Sequence, residues 1–259
     1  MASYIALAFR NKRTAGAVIL LAARAVAWAQ DGGADHIQSL ERQLAEQNRQ
    51  LRDWAGLNRY GSDNSELPAP AKGENRVVVL GDQITDFWGR GNARFFPDKA
   101  WLNRGIAGQT TDQMLVRFRQ DVISLRAQAV VILGGLNDIA GLHGPATEET
   151  VLDNLISMAE LGRVNGIRVV LTSVTPVCDC FTKGSARQRW QERIVELNEL
   201  IEKYCARTGA VYLDFYSALV DENKNFKKAL TKDGVLPNDA GYVIMATLAQ
   251  KAVAEALQK

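Results

Sequence analysis

The chain has 259 residues, of which 47% are hydrophobic and 23% charged, with a formal net charge of +2. That is ordinary globular composition, long enough for one large domain or two small ones. Four of the basic residues, Arg10, Lys12, Arg13 and Arg24, fall in the first 29 positions without an acid among them; the remaining 27 basic and 29 acidic side chains give no electrostatic case for a nucleic-acid or anionic-membrane partner.

In chain order, residues 1–29 read as a secretory signal. A basic patch is followed by the apolar run from Ala15 to Ala23, and Ala27-Trp28-Ala29 before Gln30 offers a small-x-small cleavage site. The run is too short to span a bilayer comfortably, so the expectation is a cleaved leader and a secreted or periplasmic protein. Residues 30–75 read as a helical extension and linker. Ile37, Leu40, Leu44, Leu51 and Trp54 share one helical stripe over 34–56, which suits packing on the protein's own domain or, as an alternative, oligomerisation through a short coiled-coil seam. Residues 61–75 are turn-rich and read as linker.

From Arg76 to the C-terminus, apolar runs of strand length alternate with longer helical segments. The strands are expected at 77–80, 101–103, 129–133, 167–172 and 210–213, and the helices near 111–126, 148–165, 186–207 and 239–257. The runs are apolar on both faces, as strands covered by helices on both sides must be. The fold class is therefore α/β: a three-layer α/β/α sandwich, flavodoxin-like, around a mostly parallel five-stranded sheet in the order 2-1-3-4-5. Ligand sites in such folds lie beyond the carboxyl ends of the strands.

Four of those positions carry a pattern: Gly81-Asp82-Gln83 after the first strand, Gly105-Ile106-Ala107-Gly108 after the second, Gly134-Gly135-Leu136-Asn137-Asp138 after the third, and Asp233-Gly234-Val235-Leu236 before the last helix. Over about residues 57–257 the chain resembles the SGNH/GDSL hydrolases, which carry Gly-Asp-Ser, Gly, Gly-x-Asn-Asp and Asp-x-x-His at these places. The resemblance implies that the N–H groups of Gln83 and Gly108 and the Asn137 amide form an oxyanion cradle. It implies that Asp233 is the carboxylate that would orient an imidazole. It implies no cofactor and no metal.

Two positions depart from the family: Gln83 stands at the nucleophile position and Leu236 at the base position. An amide does not attack an ester at neutral pH, and Leu has no proton to move. The expectation is a catalytically impaired homologue that binds a small acyl ester or an acetylated glycan. The alternatives are an ester hydrolase with a non-standard nucleophile and a structural protein acting through its N-terminal helix. Of other nucleophiles, Cys178 and Cys180 on the loop after the fourth strand are the better candidates, with His143 as the nearest base. Thr85, Thr110 and Thr111 have no adjacent base, and Asp82 reads as a turn residue. With Cys205, the cysteines number three, which permits at most one disulfide. With only two histidines, His36 and His143, a zinc site lacks partners. Phe87 and Trp88 read as core or rim packing, and Arg104, Arg117 and Arg119 as solvated or paired.

Overall fold

The computed structural model describes residues 35–45, 48, 51–96, 100–181 and 188–259. The leader expected at 1–29 lies outside them. The described residues fall into two compact units divided between Trp54 and Ala55. In the first, residues 35–45 are helical, and the stripe residues Ile37, Leu40, Leu44 and Leu51 are exposed.

The second unit begins earlier than the expected linker boundary. Helix α1 (Gly61–Glu66) occupies part of the turn-rich segment. Asn64 on it donates through Nδ2 to Asp121 Oδ1 at 2.7 Å, and Tyr60 just before it is buried and donates to the Gly105 carbonyl. Turn-forming composition described this segment's local conformation but not these two distant partners.

Five strands form one parallel sheet: β1 (Val77–Gly81), β2 (Trp101–Gly105), β3 (Ala129–Leu133), β4 (Arg168–Thr172) and β5 (Val211–Leu213), in the order β2-β1-β3-β4-β5. Every residue of β1 and β3 is buried. This explains their unbroken Val/Ile/Leu character, since a central parallel strand meets helices on both faces. Between the strands run α2 (Gln83–Asp86), α3 (Thr111–Phe118), α4 (Leu136–Ile139), α5 (Glu148–Val164) and α6 (Gln188–Thr208). After β5 come α7 (Tyr216–Leu219) and α8 (Asp239–Gln258).

Helices α3, α5 and α6 pack side by side, and α8 crosses β3, β4 and β5. Right-handed crossovers put α3, α5 and α6 on one face and leave the other to α8. The single helix expected over 111–126 is shorter, because α3 passes at Arg119 into a π-helical turn reaching Ile123. The wider turn keeps both Asp121 and Val122 buried.

Candidate functional site at the carboxyl edge of the sheet

The register levels three strand ends. Gly81 of β1 pairs with Gly105 of β2 on one side and with Leu133 of β3 on the other. The three segments that follow therefore leave the sheet at the same edge. Asp82 caps α2, its Oδ1 accepting the Ile84 N–H at 2.9 Å, and this turn delivers Gln83 to the first helical position. The α2 turn lies very close to β2: a Cβ at Gly105 would sit 2.1 Å from the Asp86 nitrogen, so no larger residue fits there. Gly108, at φ +83°, bends the following loop back toward α2.

These segments bring Gln83, Gly108 and Asn137 together. Gln83 Oε1 accepts from Asn137 Nδ2 at 2.7 Å and from the Gly108 N–H at 3.2 Å, while Gln83 Nε2 donates to Asn137 Oδ1 at 3.1 Å. The Gln83 side-chain carbonyl thus sits within hydrogen-bond reach of two of the three expected donors, the Gly108 N–H and the Asn137 amide. The Asn137 Nδ2 also donates to the Gln109 carbonyl at 2.8 Å, which fixes the orientation of its amide.

Beneath the turn lies a buried polar foundation that sequence reasoning left without a role. Arg117, with no exposed surface, donates to the Gly81 carbonyl at 3.0 Å, to Gln109 Oε1 at 2.5 Å and to Asp121 Oδ2 at 2.9 Å. Gln109 in turn donates to the Ala55 carbonyl at 2.7 Å. One guanidinium therefore ties the end of β1 to the loop carrying Gly108. Arg117 and Asp121 are four residues apart on the continuous helical run, a spacing that was a legible sign of an ion pair but not of its depth. Burial lowers the Arg117 pKa, and the Asp121 carboxylate opposes that.

Of the other two arginines, Arg104 is buried, stacks on the Tyr60 ring and donates to Asn64 Oδ1, while Arg119 is exposed. Asp138 was likewise passed over. It accepts from the Thr111 N–H and from Thr111 Oγ1 at 2.6 Å, and Asn154 donates to the same hydroxyl, so this carboxylate joins α4 to the start of α3. Burial raises the Asp138 pKa. Burial also raises Asp82, to about 7, and its Oδ2 has no hydrogen-bond partner among the described residues.

The base-position segment is built differently. Thr231 and Pro237 form an antiparallel bridge closing a tight loop. Inside it, Asp233 Oδ1 accepts the N–H groups of Val235 and Leu236 at 2.9 and 2.8 Å. Leu236 is half-buried and packs against the core. The Cys178 N–H donates to the Gly234 carbonyl at 2.9 Å, linking the loop after β4 to this one. The helix that follows, α8, is tied to α2 by the Tyr242 hydroxyl, which donates to the Ile84 carbonyl at 2.8 Å.

Cys178 and Cys180 are joined to each other by a disulfide, with Cα atoms 5.2 Å apart, and Cys205 is free and buried. Joined in this way, neither loop cysteine is a thiolate, and His143 is exposed. The relocated Cys/His centre is therefore corrected: the nearer pairing, two residues apart in sequence, takes both candidate nucleophiles. Burial pushes the Cys205 thiol up to about 12, which makes it a poor nucleophile too. Trp88 is core, stacked on Tyr242, while Phe87 is exposed under the Arg90 guanidinium.

A parallel sheet whose carboxyl edge gathers Gly-Asp, Gly and Gly-x-Asn-Asp segments defines an acylhydrolase-type fold. The model of the GDSL-like lipase/acylhydrolase family matches residues 60–244, and the chain belongs to that family. It is similar to the crystal structure of a GDSL-like lipase from Bacteroides thetaiotaomicron, at 40% identity and a TM-score of 0.73 over 78% of this chain and 98% of that one. It is 22% identical to an acetylxylan esterase of Geobacillus stearothermophilus over 56% of this chain and 68% of that protein. An 81-residue stretch, 30% of this chain, is 32% identical to an uncharacterized lipoprotein of Bacillus subtilis, of which it spans only 33%.

Proposed function

We propose that this protein is a catalytically impaired member of the GDSL-like acylhydrolases that engages an acylated small molecule, with acetylated carbohydrate as the favoured class. The observation that carries the reading is the pair of residues at the two reacting positions, Gln83 and Leu236. Neither a carboxamide nor an isobutyl side chain can form or relay an acyl-enzyme. In a triad, loss of the nucleophile or of the base alone costs about 10⁶-fold in kcat, and loss of both costs little more. In related chemistry an oxyanion hole and substrate binding together leave about 10³–10⁴-fold over water when a triad member is lost, and here the Gly108 N–H and the Asn137 amide are bonded to the Gln83 side chain instead. The ligand class is supported by the likeness to an acetylxylan esterase.

Export is part of the same proposal, resting on the basic and apolar leader before Gln30. Mass spectrometry of the mature protein from its host is expected to find an N-terminus near Gln30; an intact leader in the cytosolic fraction overturns it.

The test of the impaired site is kcat/KM for an activated acetate ester across wild type, Gln83→Ser, Leu236→His and the double variant. Both single variants are expected to stay near wild type, and the double variant to exceed the product of their effects by at least about 10²-fold. Asp233→Asn in the double variant then lowers the rate again, because the imidazole loses its orienting carboxylate. Wild-type turnover already equal to that of the double variant overturns the proposal.

A further inference from the structure

An oxyanion cradle in a working acyl-transfer site offers its donors to the carbonyl of a bound substrate. Here two of the three expected donors, the Gly108 N–H and the Asn137 amide, are already used. The Gln83 carbonyl takes the Asn137 amide at 2.7 Å and the Gly108 N–H at 3.2 Å, and its own Nε2 closes a second bond to Asn137 Oδ1 at 3.1 Å. The two carboxamides form a cyclic pair, with each side chain donating to the other. Residue 83 is fixed in place by the Asp82 cap beneath it, and Asn137 by its bond to the Gln109 carbonyl.

We infer that the Gln83 side chain is a built-in ligand of the cradle, so that the protein carries a sealed binding site for small carboxylates and acyl carbonyls that opens when this side chain is removed. The inference rests on the proposed reading of Gly108 and Asn137 as a donor pair. The chemistry favours the seal over an ester. An amide oxygen is a stronger hydrogen-bond acceptor than an ester carbonyl, and an intramolecular acceptor loses no translational freedom on binding. A carboxylate is the free ligand best matched to the opened site, because its bonds to the two donors are charge-assisted. An external ligand must wait for the fraction of molecules in which Gln83 has swung out, and its apparent affinity falls by that fraction.

Acetate titration of wild type, Gln83→Ala and Gln83→Ser tests this, read by the amide resonance of Gly108 and the side-chain NH₂ resonances of Asn137. Saturable shifts are expected in both variants, with an apparent Kd at least about ten-fold tighter than in wild type. Asn137→Leu in the Gln83→Ala background is expected to abolish them. Folding is checked by thermal melting, and the Ser variant keeps the test alive if the Ala variant melts early. Equal acetate affinity in wild type and a folded variant overturns the inference, as does a folded variant that binds nothing. Ester turnover by wild type is a separate readout: it overturns the impaired-enzyme reading, whereas the acetate comparison judges the seal.

Discussion

The turn carrying Gln83 and the loop carrying Leu236, the two segments on which the proposed impairment rests, are held by different contacts. The Gln83 turn buries Ile84 in the core and is otherwise held by polar contacts. It is capped by Asp82, bonded across to Asn137 and Gly108, and anchored from below through the Arg117 guanidinium on the Gly81 carbonyl. The Leu236 loop closes on itself through Asp233 and Thr231 and turns an apolar side chain toward the core. The Gln83 carboxamide meets polar partners and the Leu236 side chain meets apolar ones.

Breaking the foundation of the first region is expected to have the largest effect. Arg117→Met leaves the Asp121 carboxylate buried without its cation and removes the donor to Gly81 and Gln109. Removing one partner of a buried ion pair costs about 3–5 kcal/mol, to be read from chemical denaturation. A cost below about 1 kcal/mol would remove the distinction between a polar foundation and a self-closed loop.

The second test is pH. Burial raises the Asp82 carboxyl to about 7, from an ordinary value of 3.8. Between these values the folded protein keeps the proton and the unfolded chain does not. The associated stability is full below about pH 4 and is lost as pH rises through about 7, at a slope of about 1.4 kcal/mol per pH unit. Asp82→Asn keeps an oxygen for the Ile84 N–H and is expected to remove that part of the slope. An unchanged pH profile of urea midpoints rejects it.

The loop is expected to respond less. Asp233→Ala takes away the acceptor of two backbone N–H groups and should cost about 1–2 kcal/mol. Leu236→Ala should cost about 1 kcal/mol, below the 2–5 kcal/mol of a fully buried leucine, because the side chain is only half-buried. Thermal melting of the two variants ranks them, and a larger loss at Leu236 would make apolar packing the main support of this loop.

Much of the fold could be read directly. The five strands appear within two residues of their expected limits because buried parallel strands must be apolar on both faces, and the order of α/β segments then permits few topologies. The helix beginning at Thr111 was legible at its start, where a capping box forms between Thr110 and Gln113, but its π-helical end at Arg119–Ile123 was not. Nothing in a hydrophobic period distinguishes a four-residue from a five-residue turn when the same face stays buried. The segment 61–75 was misjudged because Gly, Ser, Asn and Pro report local turns, while Asn64 and Tyr60 find partners more than forty positions away.

The candidate site divides along the same line. The amino-acid sequence by itself determined which groups stand at the strand ends: an amide for a hydroxyl at Gln83, a hydrocarbon for an imidazole at Leu236, with Gly108, Asn137 and Asp233 around them. Strand and helix boundaries place these residues at the edge of the sheet, and the resemblance to the GDSL-like family implies which of them stand for a hydroxyl and an imidazole. Only the tertiary structure decided that the Gln83 amide pairs with the Asn137 amide, that Arg117 lies fully buried beneath both, and that Cys178 bonds Cys180 rather than Cys205. The first two depend on distances between side chains brought together from separate strand ends, and the third on the local path of one loop; a one-dimensional pattern carries neither.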